Sequence, residues 1–149
     1  MRKLKDLIPG HMMYIILIRF KKDGQYERVT IMKRQITKIT QNRLLHTIVD
    51  FHVSPIPNDR ICSQILSFNN EHMESYSFRT IMSNLYDIRY AFSEDAFMEE
   101  LQPVTKTIKQ TLLRNQTPAM INRYYDNFIS NVMKFIYSNE SGLAEFNIK

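Results

Sequence analysis

The sequence predicts an α+β fold, with an N-terminal three-stranded antiparallel β-meander followed by a bundle of three to four helices packed on one sheet face. Apolar residues alternate at period two in residues 12–53 and recur at helical spacing after about residue 75. Asp23-Gly24 lies between two apolar runs and is a strong local signal for a hairpin. With helices on one side only, the other face of the sheet is expected to be available.

Three strands are expected, over residues 12–21, 26–39 and 43–53. Asp-Gly at the centre of the first connection favours a two-residue type I′ turn, because both central residues of that turn have positive φ. Pro55 and Pro57 end the third strand, since proline cannot donate to a sheet ladder.

The two-residue turn determines which side chains share a face of the first hairpin. Lys22 then pairs with Gln25, and Arg19 lies directly opposite Arg28. A three-residue bulged loop would instead place Ile18 opposite Arg28 and mix the two faces. One face is expected to hold Ile16, Ile18, Val29 and Ile31. The other face is expected to hold Leu17, Arg19, Lys21, Tyr26, Arg28, Thr30 and Arg34.

The second half of the chain has the period of helices. A helix is expected over residues 75–92, and a short helix over residues 59–70. Ser93 is typical of an N-cap and has acidic residues after it. Pro103 should kink or divide the helix that Ser93 begins. The apolar face of that helix is expected to hold Phe97, Leu101, Val104, Ile108 and Leu112.

The last helix is expected to begin at Thr117-Pro118, because proline is favoured at the first helical position. It runs to about Tyr137, and residues 143–149 are expected to form a loosely attached tail. Its buried side chains are expected to be Ile121, Tyr124, Phe128, Val132 and Phe135.

The length of 149 residues predicts a single domain, residues 1–149. Within it, residues 1–66 form a basic β-rich half, residues 67–142 a helical half and residues 143–149 the tail. The first of these has a net charge of +7 and the remainder a net charge of −2, counting Lys, Arg, Asp and Glu. An anionic partner is therefore expected on the β-rich half.

Several classes of protein are excluded or disfavoured by composition. The three glycines are far apart, so no phosphate-binding glycine loop is present and no cofactor is expected. Cys62 is the single cysteine, which excludes an internal disulfide framework and favours a reducing, cytoplasmic location. The apolar run 12–18 is too short to span a membrane. Abundant Ile, Asn, Met and Tyr suggest an AT-rich genome, such as that of a low-GC bacterium, a phage or a virus.

The basic strand face is the main candidate site, because cations beside an aromatic ring are how several sheets bind nucleic acid. Its predicted binding residues are Arg19, Lys21, Lys22, Tyr26, Arg28, Arg34, Lys38 and Arg43, with Lys33 nearby. The alternative is an ordinary solvated pair of strands. Two like charges about 5 Å apart repel by about 1 kcal/mol or less in water, which a fold tolerates without a partner.

A weaker candidate site lies on the third strand, where His46, Asp50 and His52 share a face. A metal site there would need a further ligand, for which His72 and Asp59 are available. A histidine pair is also compatible with metal-free RNA cleavage. Polar residues on a partly exposed face are the simpler interpretation.

Two other features have structural interpretations. The acidic residues at 94, 95, 99 and 100 suit a helix start and a solvated face better than paired-carboxylate catalysis. Aromatic residues on the last helix are expected in the core, although an exposed part could bind protein.

The leading hypothesis is a small non-enzymatic intracellular protein whose basic sheet face contacts RNA or single-stranded DNA with low sequence specificity. The alternative is a protein–protein interaction module, such as a phage- or virus-encoded inhibitor or a subunit of a larger complex. That alternative would use the basic face on an acidic protein surface, or the helical half to form a homo-oligomer.

Overall fold

The fold is described from a computed structural model. It describes residues 8–41, 47–52, 61–66, 77–83, 85–115, 118–138 and 141–148, with side chains for 8–39, 85–114, 123–138 and 141–148. The strands and helices in chain order are β1 (Met12–Phe20), β2 (Tyr26–Gln41), β3 (Thr47–His52), β4 (Ile61–Leu66), β5 (Ser77–Ser83), β6 (Tyr86–Ala91), α1 (Glu94–Asn115), α2 (Pro118–Ile136) and β7 (Gly142–Asn147).

The seven strands of the described residues form one antiparallel sheet. Six of them follow the order β4-β3-β2-β1-β6-β5, and β7 pairs with β2 beside this path. The long strand β2 makes this possible, because its first part pairs with β1 and β7 and its last part pairs with β3. The two helices pack on one face of the sheet around a single apolar cluster.

The α+β class is confirmed, but the predicted three-stranded meander with three to four helices is wrong. Strands β1, β2 and β3 pair in the expected order, yet they belong to a larger sheet, and the described residues contain two helices. The helix expected over residues 75–92 is the hairpin of β5 and β6, and the segment 59–70 contains β4. Pairing of β6 with the free edge of β1 overrides the weak helical period of that segment.

The β1–β2 connection differs from the predicted turn but preserves the predicted register. The amide of Gly24, which has φ +86°, donates to the Lys21 carbonyl oxygen at 2.9 Å. The Lys21 amide donates to the Gln25 carbonyl oxygen at 2.7 Å. This is a three-residue loop, so the two-residue turn is wrong. A register shift leaves Glu27 as the extra residue of a bulge, which restores Arg19 opposite Arg28.

Helix α1 begins as expected. The Ser93 hydroxyl oxygen accepts a hydrogen bond from the Ala96 amide at 3.1 Å. Pro103 lies inside the helix without dividing it, so the expected division does not occur. Its neighbours Leu101 and Val104 are both buried in the apolar cluster. In the part of the chain that the structure describes, neither helix has the length and hydropathy needed to cross a membrane.

The apolar cluster contains all five residues predicted on α1. On α2 the predicted Phe128, Val132 and Phe135 are buried in the cluster, but Tyr125 is buried in place of Tyr124, which is 60% exposed, and the side chain of Ile121 lies outside the described residues. Residues 143–149 were expected to be loosely attached, but β7 pairs with β2 and buries Ala144 and Phe146. The period-two alternation of this segment was the overlooked signal.

The second face of the sheet, opposite the helices, is only partly available. Met13, Ile15 and Tyr90 point to this face and are at most 3% exposed. Side chains nearer the β1–β2 loop, such as Arg19 and Arg28, are partly exposed. Among the described side chains, the expectation of an open face therefore fails in the middle of β1 and β6 and holds at the loop end of the sheet.

Candidate nucleic-acid interface

One cross-strand row of side chains lies at the loop end of the second face. Tyr86, Arg19, Arg28 and Asn147 occupy successive strands β6, β1, β2 and β7 in direct register. We call these four residues the arginine row. With neighbouring strands about 4.8 Å apart, the row extends over roughly 14 Å. The sheet therefore gathers residues that are distant in sequence into one line.

A depression of about 220 Å³ lies at the two arginines of this row. Its lining residues are Arg19, Lys21, Glu27, Arg28, Asn147 and Ile148. Three of the predicted cations, Arg19, Lys21 and Arg28, thus meet at one concave site. The adjacent Lys22 is exposed in the loop.

Each arginine of the row has a carboxylate beside it. Arg19 Nε lies 2.9 Å from Glu27 Oε2, with side chains 43% and 46% exposed. Arg28 Nη1 lies 4.0 Å from Glu145 Oε1, at similar exposure. Such exposed pairs typically contribute about 1 kcal/mol or less. These carboxylates explain how the fold tolerates two opposed arginines, and they are weak enough to be replaced by another anion.

The aromatic ring beside the arginines on this face is Tyr86, not Tyr26. The Arg19 guanidinium carbon lies 5.8 Å from the centroid of the partly exposed Tyr86 ring, within cation–π range. Tyr26 was expected beside the arginines, but the bulge at Glu27 turns it to the helix side. There it packs edge-on against Phe20, with ring centroids 5.4 Å apart.

Tyr86 was missed because its segment was assigned to a helix. The alternation of Tyr86, Ile88 and Tyr90 was the signal that could have placed these three side chains on one strand face.

The other three predicted cations are not at this site, and one of them, Arg34, is structural. Arg34 is 2% exposed, and its Nη1 donates to the carbonyl oxygens of Lys33 (3.0 Å) and Gly142 (2.9 Å). It therefore anchors β7 and is not available to a partner. Lys38 is exposed but lies far along β2, in the part that pairs with β3, and Arg43 lies outside the described residues.

Lys33 was also expected near the binding face, but it lies on the helix side. Its Nζ donates to the carbonyl oxygens of Phe135 (2.9 Å), Ile136 (3.0 Å) and Ser138. These are carbonyls at the end of α2, which has no intrahelical donors left for them. Burial lowers the pKa of Lys33, and nearby Glu94 opposes this shift. Lys33 is thus a buried cap of the α2 C-terminus.

A cleft of about 440 Å³ adjoins this cap, and three of its polar side chains, Lys33, Tyr14 and His11, are already engaged. The Tyr14 hydroxyl donates to the Ile136 carbonyl oxygen at 3.1 Å, and burial raises the pKa of Tyr14 to about 12. His11 Nε2 lies 2.7 Å from the Phe92 carbonyl oxygen, to which it donates. Because Lys33, Tyr14 and His11 hold backbone carbonyls, the cleft resembles a structural junction more than a proton-transfer site.

The acidic residues of α1 do not form a carboxylate pair for catalysis. Glu94, Asp95 and Glu99 are exposed. Glu100 instead lies 3.9 Å from Arg89, which also contacts the buried Asp87 at 3.3 Å. This ion-pair group connects α1 to β6.

The predicted metal candidates cannot be placed in a site. Among the residues that the structure describes, no three His, Cys, Asp or Glu side chains form a group able to hold a metal ion. His46, His72 and Asp59 lie outside the described residues, and Asp50 and His52 are described only as backbone of β3. A role for them stays a prediction.

No known protein family, curated protein or solved structure matches this chain. The suggested phage or viral origin accordingly gains no support from relatives, and the case for a function depends on the geometry of the arginine row.

Proposed function

We propose that the protein binds nucleic acid, RNA or single-stranded DNA, with low sequence specificity. The arginine row is the binding surface, and Lys21 and Lys22 add to its charge. The observation that carries this proposal is the direct opposition of Arg19 and Arg28 on the face turned away from the helices. Two guanidinium groups at neighbouring positions over a shallow depression suit phosphate oxygens, which arginine binds in bidentate fashion.

The present partners of the two arginines support an exchangeable site. Glu27 and Glu145 hold them through half-exposed contacts, and a phosphodiester offers the same single negative charge with two non-bridging acceptor oxygens. A polyanion can therefore replace both carboxylates at little cost in stability. Because phosphate contacts dominate such binding, affinity should fall steeply with added salt.

An acidic protein surface is the second candidate partner. The observation that favours it is that carboxylates already lie beside both arginines. An interaction module of this kind would use the same residues with a different ligand. Homo-oligomerisation through the helical half is a separate hypothesis, carried by the exposed Leu113 (65%) and Tyr124 (60%).

The test compares two double variants with the same change in charge. R19A/R28A removes the opposed arginines, and R114A/R123A removes two exposed arginines from the helices. Fluorescence anisotropy with single-stranded RNA, single-stranded DNA and duplex DNA measures affinity at low salt. We expect R19A/R28A to weaken single-strand binding by about tenfold or more, whereas R114A/R123A stays within about twofold of the parent.

Equal losses in the two double variants would show that only net charge matters and would contradict the proposed surface. Absence of binding to all three nucleic acids at low salt, with a stoichiometric protein complex that survives nuclease, would favour the interaction module. Light scattering on the free protein reports whether it is a homo-oligomer.

A further inference from the structure

Resting on the proposed function, we infer that Tyr86 is a base-stacking residue that makes the arginine row a site for single-stranded nucleic acid. Tyr86 is the cross-strand neighbour of Arg19 and points to the same face. The Arg19 guanidinium lies over the ring, 5.8 Å from its centroid, so a base that stacks on Tyr86 brings its attached phosphate close to a cation. The row thus has an aromatic end at β6 and a cationic middle at β1 and β2.

The surroundings of Tyr86 suit a base better than water alone. The next cross-strand pair on this face is Leu17 with Ile88, and both side chains are partly buried. This pair gives the site an apolar side next to the ring, on the same face as the cations.

Tyr86 is distinguished from the other tyrosines of the sheet by its accessibility. Tyr90 lies on the same face but is 3% exposed, and Tyr14 and Tyr26 belong to the apolar cluster on the helix side. Among the side chains that the structure describes on the second face, Tyr86 is therefore the aromatic group that a ligand can reach.

Stacking on Tyr86 selects one class of polyanion. Bases in a duplex are already paired and stacked, so they cannot offer a flat face to the ring. A polyanion without bases can satisfy the arginines but gains nothing from the tyrosine. The site therefore prefers unpaired strands with bases over duplexes and over strands that lack bases.

The experiment uses two strands of equal length and equal phosphate number, one with bases and one with abasic positions. We expect Y86A to weaken binding of the base-containing strand by about 5- to 100-fold and to leave binding of the abasic strand unchanged. Y86F should bind as the parent does, because stacking needs the ring and not the hydroxyl. Y137A, which removes a 67% exposed tyrosine just after α2, is the matched control and should have no effect.

Y86L keeps apolar volume at this position and should show the same selective loss, which separates stacking from simple packing. Equal losses on both strands would mean that Tyr86 only positions Arg19, and would overturn the inference. If Y86A bound the base-containing strand as tightly as the parent does, the inference about Tyr86 would also be overturned, but the proposed function would remain. If the parent protein bound neither strand, the proposed function itself would fail.

Discussion

Strand β2 carries two sets of cations that look alike in sequence and differ completely in role. At the loop end, Arg28 lies beside Arg19 with about a third of its side chain exposed and a carboxylate at 4.0 Å. In the middle of the strand, Lys33 and Arg34 are both 2% exposed and donate to backbone carbonyls. The first set is free to exchange partners, and the second is built into the fold.

The difference shows that hydrogen-bond partners and burial, not charge, separate a structural cation from a binding one. Lys33 donates to three carbonyl oxygens at the α2 end, and its loss would remove all three charge-assisted hydrogen bonds from a buried site. Arg19 holds one exposed carboxylate, which water can satisfy equally well. Substitutions in the two sets should therefore act on different properties.

The largest expected effect is a loss of stability when Lys33 is replaced. K33M keeps much of the side-chain length but removes the donors, so we expect the free energy of unfolding to fall by about 3 kcal/mol. Urea denaturation measures it. K22M, in the exposed loop, is the matched control and should be indistinguishable from the parent. Equal stability of K33M and K22M would contradict the structural role of Lys33.

A second effect on stability is expected at high pH, from Tyr14 in the cleft beside Lys33. Burial, with smaller contributions from Glu94 and Tyr137, raises the pKa of Tyr14 from 10.0 to about 12. The unfolded chain then loses this proton at lower pH than the folded protein does. The stabilisation is complete below pH 10 and disappears as pH rises towards 12, by about 2 to 3 kcal/mol.

Urea denaturation of the parent and of Y14F across this pH range measures the effect as a difference. The difference in free energy of unfolding between the parent and Y14F should shrink as the pH rises from 10 towards 12. In a titration followed by tyrosinate absorbance, the folded parent should ionise one tyrosine fewer near pH 10 than the unfolded chain does. A difference that does not change with pH would show that Tyr14 titrates normally.

A smaller effect is expected at the loop end, where Glu27 competes with any bound anion for Arg19. E27Q should raise affinity for a single strand by about two- to fivefold, because a carboxylate that must be displaced becomes neutral. E99Q changes the same charge on the exposed side of α1 and should raise affinity less. Equal gains in the two variants would indicate a general charge effect and no specific competition.

The comparison also shows what the sequence could predict. The register of Arg19 against Arg28 was predictable because the pairs Ile18–Val29 and Ile16–Ile31 must face the core. The turn was not, since a three-residue loop and a bulge at Glu27 give the same apolar pairing as a two-residue turn. The apolar pattern, and not the turn, sets the strand register.

Features that depend on distant segments were not predictable. Local alternation signals the strands β6 and β7, but it does not reveal that β6 pairs with β1 or that β7 pairs with β2, and the roles of Tyr86 and Arg34 depend on these pairings. Ser93 was correctly placed because an N-cap depends only on its own helix. The sequence pattern of the first hairpin thus predicted the pairing of Arg19 with Arg28. The position of Tyr86 beside them could be known only from the pairing of β6 with β1.

The salt dependence of single-strand binding tests the central claim most directly. If Arg19 and Arg28 each neutralise a phosphate, R19A/R28A should reduce the slope of log affinity against log salt concentration by about 1.4 relative to the parent. R114A/R123A should leave the slope unchanged. Identical slopes for the parent and R19A/R28A would contradict the claim that these two arginines contact nucleic acid.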